Sequence, residues 1–297
     1  MNSTNKNSMQ TINWYPGHMA KAKRMLQENL KLIDVVVEVV DARCPMATRN
    51  PDFESLFSGK DRIIILNKAD LADQSVTNAW IDFFKAQGIL AVEFVSTKSS
   101  MKKKAVEIIS KAAEEKVARM KAKGVVKVVR AMIVGIPNVG KSTFINCVAG
   151  VSRAQVGDKP GVTRRKQWVR ITPHLELMDT PGMLWPKLEN ELYASRLAYI
   201  GSVRDDVLNI EQMTLGLIEV LRERCRSKFE LRYSISIFNE DTDADVLHAI
   251  CKSRGFITSQ DEFDIERGCR IILDEFRAGK ICRLSLDLPS EIANEES

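Results

Sequence analysis

The sequence predicts an α/β domain built on a mostly parallel sheet, followed by a small all-α domain. Three observations carry this. Short β-branched runs alternate with stretches of helical apolar spacing as far as about residue 205. Beyond that point, i, i+3, i+4 spacing takes over with little β-branched clustering. Between the two halves of the alternation, a glycine-containing loop joins a strand to a helix at residues 135–142. Parallel sheets are covered by helices on both faces, so their strands read as continuous apolar runs.

The elements follow in order. Met19 to Leu30 has the spacing of a short basic helix, and Asp34 to Val40 (DVVVEVV) reads as a buried strand ending at Asp41. Arg62 to Leu66 is a second apolar run, broken by NKAD. Val76 to Gln87 has helical spacing, Ala91 to Val95 is a short strand, and Ser99 to Lys123 predicts one long Lys-rich amphipathic helix. A strand over Val128 to Val134 leads through the glycine loop to a helix from Ser142. A polar stretch, Val151 to Lys166, precedes two more strands, Gln167 to Ile171 and Leu175 to Met178. Val207 to Cys225, Asp243 to Arg254 and Asp261 to Arg277 then read as helices. The expected division is residues 1–205, with the basic N-terminal segment 1–31 included, and residues 206–297.

Length and composition bound the rest. At roughly 100 to 200 residues per domain, 297 residues with 44% hydrophobic and 28% charged side chains imply about two globular domains and exclude disordered and fibrous classes. No stretch approaches the roughly 18 apolar residues of a membrane span. The opening MNSTNKNSMQTI is polar and has no apolar core, so neither a signal nor a transit peptide is expected, and the expected location is the cytoplasm. The six cysteines are scattered without a CxxC pair. The three histidines (His18, His174, His248) do not stand at zinc spacing, so reduced, mostly buried thiols are expected.

The net charge of +5 hides its distribution. Residues 1–31 carry 5 basic and 1 acidic side chain, residues 98–130 carry 11 and 3, and residues 153–170 carry 6 and 1. Those segments hold +17, which leaves −12 for the remainder. Any one basic run reads equally as a solvated helix face; three on an otherwise acidic chain point to a polyanionic partner.

Four motifs carry chemistry. Gly135-Ile136-Pro137-Asn138-Val139-Gly140-Lys141-Ser142 fits GxxxxGK[ST] between a strand and a helix. Its backbone N–H groups and helix N-terminus suit phosphates, Lys141 reaches the β and γ phosphates, and Ser142, followed by Thr143, can ligate Mg²⁺. Asp179-Thr180-Pro181-Gly182 ends a strand 37 residues after Ser142. An Asp at that point holds magnesium through water, and the Gly182 N–H senses the γ-phosphate. Between them, Thr163 stands where a switch I threonine completes the magnesium shell. Asn67-Lys68-Ala69-Asp70 follows the second apolar run. The Asp70 carboxylate can accept from both guanine N1–H and the exocyclic amine, a pattern adenine does not offer, while Asn67 and Lys68 brace the pocket. Ser96-Thr97-Lys98 matches the last guanine-contacting loop, with Thr where Ala is usual.

The order of these motifs is unusual. In standard small GTPases the phosphate loop comes first and NKxD and Ser-Ala-Lys last; here NKAD and Ser96-Thr97-Lys98 precede the phosphate loop. The chain therefore reads as a circularly permuted P-loop GTPase, with the Lys-rich segment 99–123 joining the usual ends. Switch II then leads directly into the helical domain, which offers a short path for transmitting nucleotide state.

With these motifs, Trp14-Tyr15-Pro16-Gly17-His18-Met19-Ala20-Lys21-Ala22, Asp41-Ala42-Arg43 with Arg49-Asn50-Pro51, and Gly255-Phe256 to Arg277-Ala278-Gly279-Lys280, nearly the whole chain resembles the circularly permuted ribosome-assembly GTPases of the YlqF/RbgA type. The resemblance implies GTP hydrolysis, GTP and GDP as ligands, Mg²⁺, and binding to the large ribosomal subunit and its rRNA late in assembly. It also implies release on hydrolysis, with no membrane partner and a monomer off the ribosome. Met183 follows DTPG, and a thioether cannot orient water; in the family that role is assigned to the histidine of the WxPGH segment, here His18. Asn138 resembles the asparagine that supports K⁺ in potassium-dependent GTPases, a loop-stabilising Asn being the alternative. An RNA-binding assembly scaffold with structural GTP is a competing reading. A GTPase of tRNA or membrane-associated partners is another, weakened by the absence of a recognisable tRNA-modifying domain or amphipathic membrane helix.

Overall fold

The computed structural model describes residues 16–150, 167–184, 190–203, 205 and 209–295, apart from the side chains of 16–19 and 293–295. Six strands form one sheet: β1 Val35–Asp41, β2 Asp61–Asn67, β3 Leu90–Glu93, β4 Val129–Val134, β5 Gln167–Thr172 and β6 Leu175–Asp179. Their order is β3-β2-β1-β4-β6-β5, all parallel except the β5/β6 pair. Val37 pairs with Ile63 on one side and Ile133 on the other, so β1 is interior, and all seven of its residues are buried.

Burial on both faces explains the unbroken apolar runs. Successive side chains alternate across the sheet. Val35, Val37 and Val39 face a core shared with Ile63, Ile65, Ala131 and Ile133, covered by α5 (Lys102–Ala112) through Ala105 and Ile109 and by α7 (Lys141–Ala149) through Phe144, Ile145 and Val148. Val36 and Met132 face the other side, with Leu26 of α1 (Pro16–Asn29) and Phe53 of α3 (Asp52–Leu56). Val40, Ile64 and Leu66 pack there on Trp80 and Phe84 of α4 (Gln74–Ala86). Asp73 caps α4 by accepting from the Ser75 and Val76 N–H groups.

Read from β4, the chain visits β5 and β6 on one side of that strand, and β1, β2 and β3 lie on the other. The permutation inferred from motif order is therefore built into the sheet, and the connection between β3 and β4 closes it. That connection differs from the single helix expected over 99–123. A 3-10 turn at Ser99–Met101 is followed by α5 and then α6 (Glu114–Ala122), separated at Ala113. No Gly or Pro marks the break. Beyond the break, Lys116 of α6 and Lys127 after it both pair with the buried Asp34 at 2.5 and 3.1 Å, which ties this half of the connection to the residue before β1.

Beyond the sheet, α8 (Glu191–Tyr199), α9 (Ile210–Tyr233), α10 (Asp243–Arg254), α11 (Ile265–Arg277) and α12 (Pro289–Glu295) complete the chain. Helices α9, α10 and α11 pack on one another through Leu217, Leu221, Phe229, Val246, Ile250, Ile272 and Phe276. These residues are continuous with the core on one sheet face. Helix α9 runs past the expected end at Cys225, where it leaves helical geometry (φ −148°, ψ 35°) before its apolar face resumes at Phe229 and Tyr233. The short α2 (Pro45–Thr48), α3, α8 and α12 had no sequence expectation, being brief or weakly periodic. Helix α1 begins before the expected start at Met19, so Gly17 and His18 lie in its first turn. Among the described residues, no helix is long and apolar enough to cross a membrane.

Candidate nucleotide site

The sheet reverses its winding direction between β4 and β1, and crevices at such points, beyond the carboxyl ends of the strands, are where open α/β sheets bind ligands. The phosphate loop leaves β4 there, Asp41 ends β1, and NKAD ends β2.

Asn67 joins three loops. Its amide Nδ2 donates to the Val139 carbonyl at 2.8 Å, and its Oδ1 accepts from the Ser96 N–H (3.2 Å) and hydroxyl (2.7 Å). This contact requires Gly140, because a Cβ there would meet Asn67 Nδ2 at 2.3 Å, and Gly140 is left-handed at φ 95°. Lys68, itself left-handed (φ 58°), sends its ammonium to the Asn138 carbonyl at 2.7 Å and to Asp41 at 3.0 Å. Asp70 is half-buried on the same turn. Thr97 and Lys98 are exposed, and the Lys98 carbonyl accepts from the Cys147 thiol of α7 at 3.3 Å. Thr143 is half-buried in the first turn of α7.

On the phosphate side, Lys141 is buried and donates to the Ile136 carbonyl at 2.6 Å. Burial pulls its pKa down to about 8, with Asp179 acting in the opposite sense. The Ser142 hydroxyl donates to Asp179 Oδ2 at 3.3 Å, while Asp179 Oδ1 is buried without a hydrogen-bond partner. Burial raises the Asp179 carboxyl above its ordinary value despite Lys141. Gly182 lies against the loop so closely that a Cβ would stand 2.8 Å from Pro137 N and 3.0 Å from Lys141 Nζ. Met183 donates its N–H to the Gly135 carbonyl, and its side chain is buried among Leu26, Val36, Met132 and Met178. Asn50 Nδ2 donates to the Met183 carbonyl at 3.0 Å, tying the segment after DTPG to the turn before α3. Thr163 lies outside the described residues, and so does the side chain of His18.

Two features went unassigned by sequence reasoning. Asp41 is fully buried, takes a bidentate contact from Arg43 (2.9 and 2.8 Å) and pairs with Lys68. Burial alone would raise its carboxyl; Arg43 and Lys68 outweigh that and hold it well below the usual carboxylate range. An Asp at the carboxyl end of an interior strand that is apolar but for Glu38 was the available signal. The second feature is the junction with the helices, where Asn138 Nδ2 donates to the Gly201 carbonyl at 2.7 Å and the Ser202 hydroxyl to the Pro137 carbonyl at 2.9 Å. Arg277 at the end of α11 reaches the Tyr199 and Ala198 carbonyls and Asp205, and the backbone carbonyl of Arg277 accepts from Arg43. These partners are distant in sequence, so no local pattern announces them.

A doubly wound sheet whose phosphate loop, DTPG turn and NKAD loop meet at one crevice defines a P-loop GTPase. Residues 130–250 match the family model described as 50S ribosome-binding GTPase. The chain is 42% identical over 283 residues to Ribosome biogenesis GTPase A of Priestia megaterium, covering 95% of this chain and 98% of that protein. It is 35% identical over 281 residues to the protein of the same name from Thermotoga maritima, covering 95% and 96%. Among solved structures, GNP-bound YlqF from T. maritima aligns with a TM-score of 0.62 at 29% identity, covering 91% of this chain and 98% of that one. A GDP-bound YlqF structure aligns with a TM-score of 0.63 at 28% identity, covering 90% and 100%. The chain belongs to the ribosome biogenesis GTPase A family and is a GTPase.

Proposed function

We propose that this GTPase binds the large ribosomal subunit and its rRNA late in assembly, in the cytoplasm, as a monomer off the ribosome, and leaves on hydrolysis. The observation that carries the reading is the junction between phosphate loop and helices. The loop that meets the γ-phosphate side also holds Gly201 and Ser202, so a change of nucleotide is felt where α8 leads into the helical part, residues 206–297 of the expected division. Exposed Lys102, Lys103, Lys111, Arg119, Lys121 and Lys123, with the basic segment of α1, offer a salt-sensitive surface for rRNA phosphates.

In this reading Asp70 selects guanine while Asn67, Lys68 and the Ser96-Thr97-Lys98 loop frame the base. The 138–143 segment and Gly182 hold the phosphates, and Lys141 stabilises charge on the β and γ groups. The unpartnered Asp179 oxygen beside the Ser142 hydroxyl suits a divalent cation, so Ser142 would ligate Mg²⁺, Asp179 would hold it through water, and Thr163 would complete the set. Bound there, Mg²⁺ neutralises developing phosphate charge. A K⁺ ion, if used, would be met by the oxygen end of the Asn138 amide; turnover in KCl against NaCl at matched ionic strength tests it. With Met183 turned into the core, water orientation falls to His18, carried on α1 beside the same apolar cluster.

The test is turnover and sedimentation with and without large subunits, in GDP, GTP and a non-hydrolysable analogue. Triphosphate-dependent binding and stimulated hydrolysis, the latter lost in His18→Ala with GTP affinity kept, support the reading. Subunit binding without any stimulation would instead favour an RNA-binding scaffold.

A further inference from the structure

Glu38 stands in the middle of β1 and is buried, an expensive place for a carboxylate unless it is paired. Its Oε2 is met by Arg62 of β2 at 3.0 Å and by Arg49 at 3.5 Å, and both arginines also reach Glu54 of α3, at 2.7 and 3.3 Å. The Arg49 guanidinium lies over the Phe84 ring, 5.3 Å from its centroid. One residue earlier, the Thr48 hydroxyl accepts from the Asp41 N–H at 3.1 Å. The turn between α2 and α3 is thus fastened to the centre of the sheet immediately ahead of Asn50, and Pro51 restricts the backbone behind it.

Asn50 is buried, and both ends of its amide are engaged. Its Oδ1 accepts from the Asp52 N–H at 3.0 Å, a local turn that leads into α3. Its Nδ2 donates to the Met183 carbonyl at 3.0 Å, 133 residues away. The local turn asks only for an acceptor, and aspartate or serine makes it as well. Reaching Met183 asks for a donor on a side chain of this length. The segment it reaches is gripped at further points: the Thr180 hydroxyl donates to the Ile133 carbonyl at 2.6 Å, and the Met183 N–H to the Gly135 carbonyl at 3.2 Å. Gly182 lies between these anchors, against Pro137 and Lys141.

We propose that Asn50 is a positioning residue for GTP hydrolysis: by holding the Met183 carbonyl it fixes the chain just after Gly182, and with it the direction of the Gly182 N–H toward the γ-phosphate. The inference rests on the reading of Gly182 as the γ-phosphate contact. Without the donor, the buried carbonyl loses its partner and the segment turns to recover one. Gly182, with no side chain to resist, turns with it. Diphosphate binding draws instead on Asp70, Asn67 and the 138–143 segment, so the loss falls on the triphosphate.

The test measures GTP turnover, and affinities for GDP and a non-hydrolysable triphosphate analogue, in the full chain and in Asn50→Asp, Asn50→Ser and Gly182→Ala. Both Asn50 variants keep an acceptor for the Asp52 N–H and lose the donor to Met183, so each checks the other should one fold poorly. In both, kcat/KM for GTP and affinity for the analogue should fall about tenfold, with GDP affinity within about twofold of the parent. Parent-like Asn50 variants beside a Gly182→Ala chain that has lost analogue affinity would overturn the proposal and leave the reading of Gly182 standing, since Asn50 would then serve only the turn into α3. Full analogue affinity in Gly182→Ala would overturn both together. An equal loss of GDP and analogue affinity in the Asn50 variants would also refute the positioning role, because damage to the fold does not distinguish the two nucleotides.

Discussion

Replacing Asp41 by Asn removes one negative charge from a fully buried site and leaves its shape. Asp41 is met by the Arg43 guanidinium at 2.9 and 2.8 Å, the Arg43 N–H at 3.1 Å and the Lys68 ammonium at 3.0 Å, all donors. An amide turns its NH₂ toward one of them and leaves Arg43 buried without its counter-ion. Breaking a buried pair in this way costs about 3 to 5 kcal/mol. The low end is expected, since Arg43 keeps the Arg277 carbonyl and the Phe276 ring, and Lys68 keeps the Asn138 carbonyl. Urea unfolding should therefore show a loss of about 3 kcal/mol, and fluorescent GDP titration about tenfold weaker binding as Lys68 loosens from the phosphate loop. Because the folded carboxyl is held below its ordinary value, its contribution is present above about pH 4 and is lost as pH falls further, so the gap between the two chains should close in acid. A stability within about 0.5 kcal/mol of the parent at pH 7 would refute the assignment of Asp41 as the charge that holds both cations.

Asn67→Ala deletes three hydrogen bonds, at about 0.5 to 1.5 kcal/mol each, so urea titration should show a loss of about 2 to 4 kcal/mol and GDP binding should weaken at least about tenfold. Lys141→Met should stabilise the nucleotide-free chain at pH 7 by about 3 kcal/mol while abolishing triphosphate binding. The folded ammonium titrates near 8 rather than 10.5, so the unfolded chain binds more protons between those values. The parent should accordingly gain stability as pH rises through that window, and the Met variant should not. Met183→Gln should give no gain in turnover and a loss of about 1 to 3 kcal/mol by thermal melting, because the amide enters an apolar cluster rather than the crevice.

The alternation of β1 side chains between two buried faces is written in DVVVEVV, and the motifs that match phosphate and guanine loops are local words read at strand ends. Their order along the chain was enough to infer the permutation, because each loop must follow its own strand whatever the connectivity. Other features are not local. Lys116, just past the break at Ala113, is held by Asp34, a partner some eighty residues away that no helical spacing registers.

What the sequence alone determined is therefore the class of sheet, the set of motif-bearing loops and their unusual succession, all properties of neighbouring residues with fixed periods. The tertiary structure decided how those loops hold one another: Asn67 in the notch left by Gly140, Asp41 between Arg43 and Lys68, and Asn138 reaching Gly201. Each of these depends on side chains brought within about 3 Å by the packing of separate strands. Hydrogen bonds and buried ion pairs act only at such distances, so their partners are chosen by the folded geometry and leave no period in the chain.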